Sequence, residues 1–148
     1  RETGLSPRDL EGLLNSKSGL IGICGLNDMR EILAAADQGN ERARLAVEIF
    51  CYRIKKYIGA YLAVLGRLDA LVFTGGIGEN AAPVRQKILS GLEHLGLGVD
   101  PEKNQKVSGN IAEIQGAGFR TKTLVIKTNE ELEIARQTLE VIEQKING

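Results

Sequence analysis

Ala70-Leu71-Val72-Phe73-Thr74-Gly75-Gly76-Ile77-Gly78-Glu79-Asn80 is the stretch on which the fold turns. Its first five residues form an apolar run, the pattern of a strand buried on both faces. Glycines follow at three of the next four positions. A helix is then expected to carry Val84, Ile88, Leu92 and Leu95, ending at Gly96. A strand that runs through glycines into a helix is a unit of α/β architecture. Glycines let backbone N–H groups approach a ligand unobstructed, and a helix N-terminus favours a phosphate. The same residues also make a tight strand-to-helix turn with no ligand, and both readings stand at this point.

Upstream, Asn40 caps the longest expected helix, which runs to Leu65. Its apolar residues Ala43, Val47, Phe50, Ile54, Ile58, Tyr61, Leu62 and Leu65 recur at spacings of three and four. Ser6-Pro7 starts an earlier helix with Leu10, Leu13 and Leu14 on its apolar side. Leu20-Ile21-Gly22-Ile23-Cys24-Gly25 is too rich in glycine for a helix and reads as buried loop or short strand. Asn27 or Asp28 caps a helix through Ala36. Downstream, residues 97–99 are compatible with a short strand. Residues 100–118 read as irregular, with a strand at 111–114, and residues 121–126 form a second clear strand. Thr128-Asn129-Glu130-Glu131 has the form of a capping box, with Thr128 as cap. The final helix places Leu132, Ala135, Leu139, Ile142 and Ile146 on one face. The fold class is α/β, with a thin sheet whose other strands would lie outside this sequence.

Composition narrows the function. The 148 residues are 43% hydrophobic, which rules out disorder for the whole. Lys plus Arg and Asp plus Glu both number 19, so no basic excess argues for nucleic acid or an anionic membrane. No apolar run approaches the roughly 18 residues of a membrane span, and no signal peptide is expected. Arg1 stands where a native start would carry Met, so a piece of a longer polypeptide is expected. Cys24, Cys51 and His94 are too few ligands for a structural zinc site. The cysteines read as small buried apolar residues, and reduced thiols fit a cytoplasmic protein.

Three candidate sites remain, with one histidine and one basic cluster beside them. Gly76, Gly78 and Ala81 satisfy G-x-G-x-x-A, and Asp100 lies about 20 residues on, the spacing of a dinucleotide fingerprint. Too few strands follow for the rest of such a fold. Glu130 sits at a strand-to-helix junction, where a carboxylate would hold Mg²⁺ beside phosphates or simply favour the helix's first turn. Asp28-Met29-Arg30 opens a helix, where Asp would serve as cap or meet a ribose and Arg would stack on a base or pair with phosphate. His94 reads as a surface histidine near a helix C-terminus, and Arg53-Ile54-Lys55-Lys56 as a solvated helix face.

Residues 71–80, followed by Val84-Arg85, resemble the acetate kinase family, which includes propionate and butyrate kinases. Ser18-Gly19-Leu20-Ile21-Gly22 before Asp28-Met29-Arg30 is similar to the family's S-G-L-L-G…D-x-R stretch. Residues 46–61 resemble its A-x-x-x-F-x-Y-x-x-x-K-x-I-G-x-Y helix, and residues 128–135 its T-x-E-E-L-x-I-A ending. The resemblance implies phosphoryl transfer between ATP and a short-chain carboxylate such as acetate, giving an acyl phosphate and ADP, with Mg²⁺. It implies a ribonuclease-H-like fold of the actin-like ATPase, sugar-kinase and Hsp70 type, and a cytoplasmic homodimer. Residues 1–148 would be the C-terminal nucleotide-binding part of a two-domain enzyme. By position, Asp28, Met29 and Arg30 would line the adenosine pocket. Gly76, Ile77, Gly78, Glu79 and Asn80 would form a second nucleotide-binding segment, and Glu130 would bind Mg²⁺. The family's catalytic Asp, transition-state His and two acyl-phosphate arginines have no counterpart here, so the sequence is expected to be inactive alone. Two other expectations are a non-catalytic association piece, through a long-helix face bearing Phe50, Tyr57 and Tyr61, and a small NAD-binding protein using Asp100.

Overall fold

The computed structural model describes residues 4–146. Four helices come first: α1 (Pro7–Ser16), α2 (Leu20–Cys24), α3 (Met29–Asp37) and α4 (Glu41–Leu65). Then follow β1 (Ala70–Phe73), α5 (Gly75–Asn80), α6 (Ala82–Leu89), a 3₁₀ turn (Glu93–Leu95), α7 (Pro101–Gln105), β2 (Ile111–Glu113), β3 (Lys122–Ile126) and α8 (Glu130–Ile146). The caps follow local chemistry. Asp9 N–H donates to Ser6 Oγ at 3.2 Å, and Ala43 N–H to Asn40 Oδ1 at 3.0 Å, each satisfying a donor that the helix leaves free.

The three strands lie in the order β1-β3-β2. β1 runs parallel to β3, with Ala70 opposite Lys122 and Phe73 opposite Val125, and β2 runs antiparallel to β3. On β3, Thr123 and Val125 point inward and are buried. Helices α2, α3 and α6 pack on α4, whose inward residues Ala43, Ala46, Val47, Cys51 and Ile58 are buried. Ile32, Val84, Ile88, Leu89, Leu97 and Ile114 complete the core. Each large aliphatic side chain so buried contributes about 1.5–3 kcal/mol.

The structure corrects several sequence expectations. Leu20–Cys24 is a helical turn rather than loop or strand. The glycine segment is itself helical, as α5, and a break at Ala81 (φ −102°, ψ 76°) separates it from α6. The helix expected to reach Leu95 stops at Leu89, and Leu92 and Leu95 belong to the turns that follow. Residues 97–99 form no strand, although Leu97 is fully buried. A helix, α7, occupies part of the stretch expected to be irregular. β1 is an edge strand with Val72 46% exposed, so it is not buried on both faces. The proposed capping box does not form: Leu132 N–H donates to Asn129 Oδ1 at 3.0 Å, and Thr128 turns elsewhere. Of the residues expected on one face of α8, Leu132, Ala135, Leu139 and Ile142 are all exposed, and the side chain of Ile146 lies outside the described residues.

Cys51 lies in the core, where burial pushes its thiol up to about 11. Cys24 is half-buried, its Sγ 3.3 Å from Leu20 O. Both are free thiols, as packing residues should be. Among the described residues no helix is long and apolar enough to cross a membrane.

Candidate functional site

Asp28 is the cap of α3. Its Oδ1 accepts the Arg30 N–H at 2.9 Å and the Arg30 Nε–H at 3.0 Å, while Oδ2 accepts from Arg30 Nη2. The Arg30 guanidinium, then its backbone N–H, hold the Asp28 carboxyl down at about 2. The rest of the Arg30 side chain stands in solvent, its planar face open. Met29 is almost wholly buried, packing in the core while still bordering the cleft described below.

β1 delivers the chain to α5 through Gly75, whose φ of +69° suits glycine. One turn later Gly78 lies against the end of β1. A Cβ there would sit 3.2 Å from the Phe73 carbonyl carbon, tighter than ordinary packing. Thr74 contributes no side-chain cap. Instead the Gly75 N–H donates to Glu79 Oε1 at 3.0 Å. That N–H, which the phosphate reading of the glycine segment would leave free for a ligand, is therefore engaged within the protein. Asn80 Nδ2 donates to Gly76 O at 2.9 Å.

These two segments, far apart in sequence, form one cleft of about 610 Å³. Asn27, Asp28, Met29, Arg30 and Leu33 line one wall, and Gly76, Ile77, Asn80, Ala81 and Pro83 the other. The size is that of ordinary small-molecule and cofactor sites. Of the sequence candidates, Asp28, Met29, Arg30, Gly76, Ile77 and Asn80 meet here. Gly78 and Glu79 do not line the cleft: Gly78 faces Phe73, and the Glu79 carboxylate turns to Thr128.

Glu130 is the first residue of α8, exposed, and its carboxylate makes no hydrogen bond or ion pair among the described residues. Among those residues no three His, Cys, Asp or Glu side chains gather into a metal cluster. A single free carboxylate nevertheless suits Mg²⁺, which keeps most of its shell as water and phosphate oxygens. Asp100 accepts the Lys103 N–H at 2.9 Å as the cap of α7, which accounts for it without a ribose. His94 is exposed on the 3₁₀ turn. Arg53 and Lys56 are solvated, while Lys55 donates to Ser90 O.

Sequence reasoning gave Arg85 no role, yet it organises the site's underside. Arg85 is 2% exposed and pairs with no carboxylate among the described residues. Nη1 donates to Gly78 O (2.8 Å) and Glu79 O (2.9 Å), Nε to Asn104 Oδ1 (2.7 Å) and Nη2 to Asn104 O (2.7 Å). Burial lowers its pKa from the usual arginine value. The available signal was a charged residue on an otherwise apolar stripe with Ala81, Val84 and Ile88.

The sequence matches the profile of the acetokinase family over residues 1–136. The chain belongs to the acetokinase family. It is 56% identical over 138 residues to an acetate kinase of Nitratidesulfovibrio vulgaris (strain DP4), covering 93% of this chain and 34% of that protein. It is 55% identical over 142 residues to an acetate kinase of Syntrophobacter fumaroxidans, covering 96% and 34%. The acetokinase chain thus spans about a third of the length of the curated relatives it matches. Among solved structures, the acetate kinase of Porphyromonas gingivalis superposes with a TM-score of 0.81 at 41% identity, covering 94% of this chain and 35% of that one. A propionate kinase of Francisella tularensis superposes with a TM-score of 0.80 at 46% identity, covering 90% and 34%. The small sheet flanked by helices is therefore part of the acetate kinase fold, of the actin-like ATPase and sugar-kinase type.

Proposed function

We propose that residues 1–148 form the nucleotide-binding part of a two-domain cytoplasmic acetate kinase, with the rest of the enzyme upstream. The reaction is ATP plus acetate giving acetyl phosphate plus ADP. A carboxylate oxygen attacks the γ-phosphorus, the bond from that phosphorus to the β,γ-bridging oxygen breaks, and ADP leaves. Propionate and butyrate remain alternative acceptors, because the acyl pocket lies outside these residues.

The observation that carries this reading is the convergence of the Asp28-Met29-Arg30 segment and the glycine segment on one cleft. Arg30 offers a planar, solvent-facing cation to stack on a base. Asp28 holds that guanidinium in place through its paired hydrogen bonds. Gly76 and Ile77 present a surface without bulky polar groups, and Asn80 a side-chain amide, to the rest of the nucleotide. Glu130 would hold Mg²⁺, which supplies charge neutralisation on the phosphates when bound. Phosphoryl transfer draws its rate from groups on both sides of the phosphate, so one side alone does not suffice. The chain is accordingly expected to bind nucleotide and not to turn over by itself; the working form is a homodimer of the longer polypeptide.

Calorimetric titration with ADP and Mg²⁺ tests this. Saturable binding is expected, weakened about tenfold or more in Asp28→Ala, the scale on which one lost charge-assisted contact acts. Acetyl phosphate formation by the chain alone should be undetectable. Failure to bind ADP, or NAD binding abolished by Asp100→Ala, would refute the assignment.

A further inference from the structure

Glu79 lies in the glycine segment, but its carboxylate leaves the cleft. One oxygen, Oε1, accepts three hydrogen bonds: from Gly75 N–H at 3.0 Å, from Thr128 N–H at 2.8 Å and from Thr128 Oγ1 at 2.8 Å. The first closes the start of α5 on itself. The other two cross 49 positions of sequence to the residue that precedes the Asn129 cap of α8. Glu130, the free carboxylate, is two residues beyond Thr128. The backbone of Glu79 is fixed from the opposite side, because Arg85 donates to the carbonyls of Gly78 and Glu79. Helix α8 has little else to hold it: residues 130–145 are all exposed. Apart from chain connection to β3, its first turn depends on the Asn129 cap and on this tie.

We infer that Glu79 is a positioning residue: it fixes the start of α8, and with it Glu130, relative to the nucleotide segment, and does not itself touch nucleotide. The inference rests on the nucleotide reading above. It explains why Thr128 abandons the capping box that its sequence position offers: its hydroxyl serves the long-range contact, and Asn129 takes over the cap. Through this contact the geometry of the metal-holding carboxylate is set by the element that forms the cleft. Partners that orient a metal ligand typically affect metal affinity by about 10–100-fold when removed.

The test measures ADP affinity of the full chain with and without Mg²⁺, in the wild type and in Glu79→Ala, Thr128→Val, Thr128→Ser and Glu130→Ala. Mg²⁺ is expected to strengthen ADP binding to the wild type. Glu79→Ala should lose most of that metal-dependent gain, about tenfold, approaching Glu130→Ala. Its metal-free ADP affinity should change much less, because Gly75, whose N–H also loses its partner, does not line the cleft. Thr128→Val should lose part of the gain and Thr128→Ser should keep it, which a general packing defect would not reproduce. Without any ligand, amide exchange at Thr128 should accelerate in Glu79→Ala while the amides of Thr123 and Val125 stay protected, separating the tie from the fold. Equal loss with and without metal, an undiminished metal gain, or a wild type insensitive to Mg²⁺ would overturn the inference while leaving the nucleotide cleft standing. A wild type that binds no ADP would refute the nucleotide reading itself, and the inference with it.

Discussion

Arg85 places a full positive charge in the core and balances it with carbonyl and amide oxygens alone. Such a group is tolerated only when its donors are met, because a buried charge without hydrogen bonds costs far more than any packing returns. Four bonds from one guanidinium join α5, α6 and α7, and Asn104 Nδ2 adds a bond to Ala82 O at 2.9 Å. Arg85→Met keeps much of the volume and removes every one of the arginine's donors. It leaves the carbonyls of Gly78 and Glu79 and both Asn104 oxygens without this partner, at about 1–3 kcal/mol for each group that water does not reach. The expected outcome is destabilisation of about 3–5 kcal/mol by urea denaturation, the sum of a few such groups. Arg85→Lys should recover only part of it, since an ammonium cannot span the same fork. Equal stability of Arg85→Met and wild type would mean that the residue is not structural. The sequence showed an arginine after the glycine block but not its partners, because Asn104 lies 19 positions away and carries no pattern of its own.

At the level of the element, α5 exposes what local pattern can and cannot read. Glycine in a helix interior costs about 1 kcal/mol relative to alanine, so three of them argue against a helix on local grounds. The helix forms because it lies against β1, with Gly78 over the Phe73 backbone, and because Glu79 takes the first free N–H. Neither contact is visible to periodicity. Helix α2 is the same case, with Gly22 close to the Lys17 carbonyl. Where a strong periodic signal existed, as in α4, or a β-branched run, as in β3, the sequence reading and the structure agree. The glycines of α5 then separate by role. A Cβ on Gly76 meets nothing within 4 Å, whereas one on Gly78 meets the Phe73 backbone at 3.2 Å. Gly76→Ala should leave thermal stability unchanged or raise it by up to about 1 kcal/mol, while weakening ADP binding because the methyl enters the cleft. Gly78→Ala should lower stability by about 1–2 kcal/mol as α5 shifts away from β1. The reverse pattern in melting and titration experiments would show that the cleft lies on the other face of α5.

Across the whole molecule, the core is continuous from α3 through α4 and α6 to β3, but its margins at α4–β1 and at α8 are uncovered, as is the Leu10, Leu13 and Leu14 face of α1. The last turns of α4 carry Tyr57, Tyr61 and Leu65 past the core along the same side that buries Ile54 and Ile58, and all three are at least 55% exposed. Beside them β1 ends the sheet with Val72 exposed and one edge unpaired. The second margin is α8, where Ile134, Val141 and Ile142 stand in solvent. Apolar faces and an open strand edge of this kind drive association. Their position was foreseeable only in part. The amphipathic periods predicted apolar faces correctly, but periodicity cannot say whether a face meets its own core or another polypeptide. A chain that spans about a third of its relatives' length has reason to leave such faces open. In isolation, this chain should therefore self-associate. Sedimentation velocity should detect species heavier than the 16.0 kDa monomer, increasing with concentration and with salt, because the contact is apolar rather than ionic. Tyr61→Lys combined with Val72→Lys should shift the population toward monomer without loss of helical signal, since both side chains lie outside the core. If that double variant left the distribution unchanged while substitutions on α8 dissolved it, the margin at β1 would be an ordinary solvent-facing edge and α8 would be the associating surface.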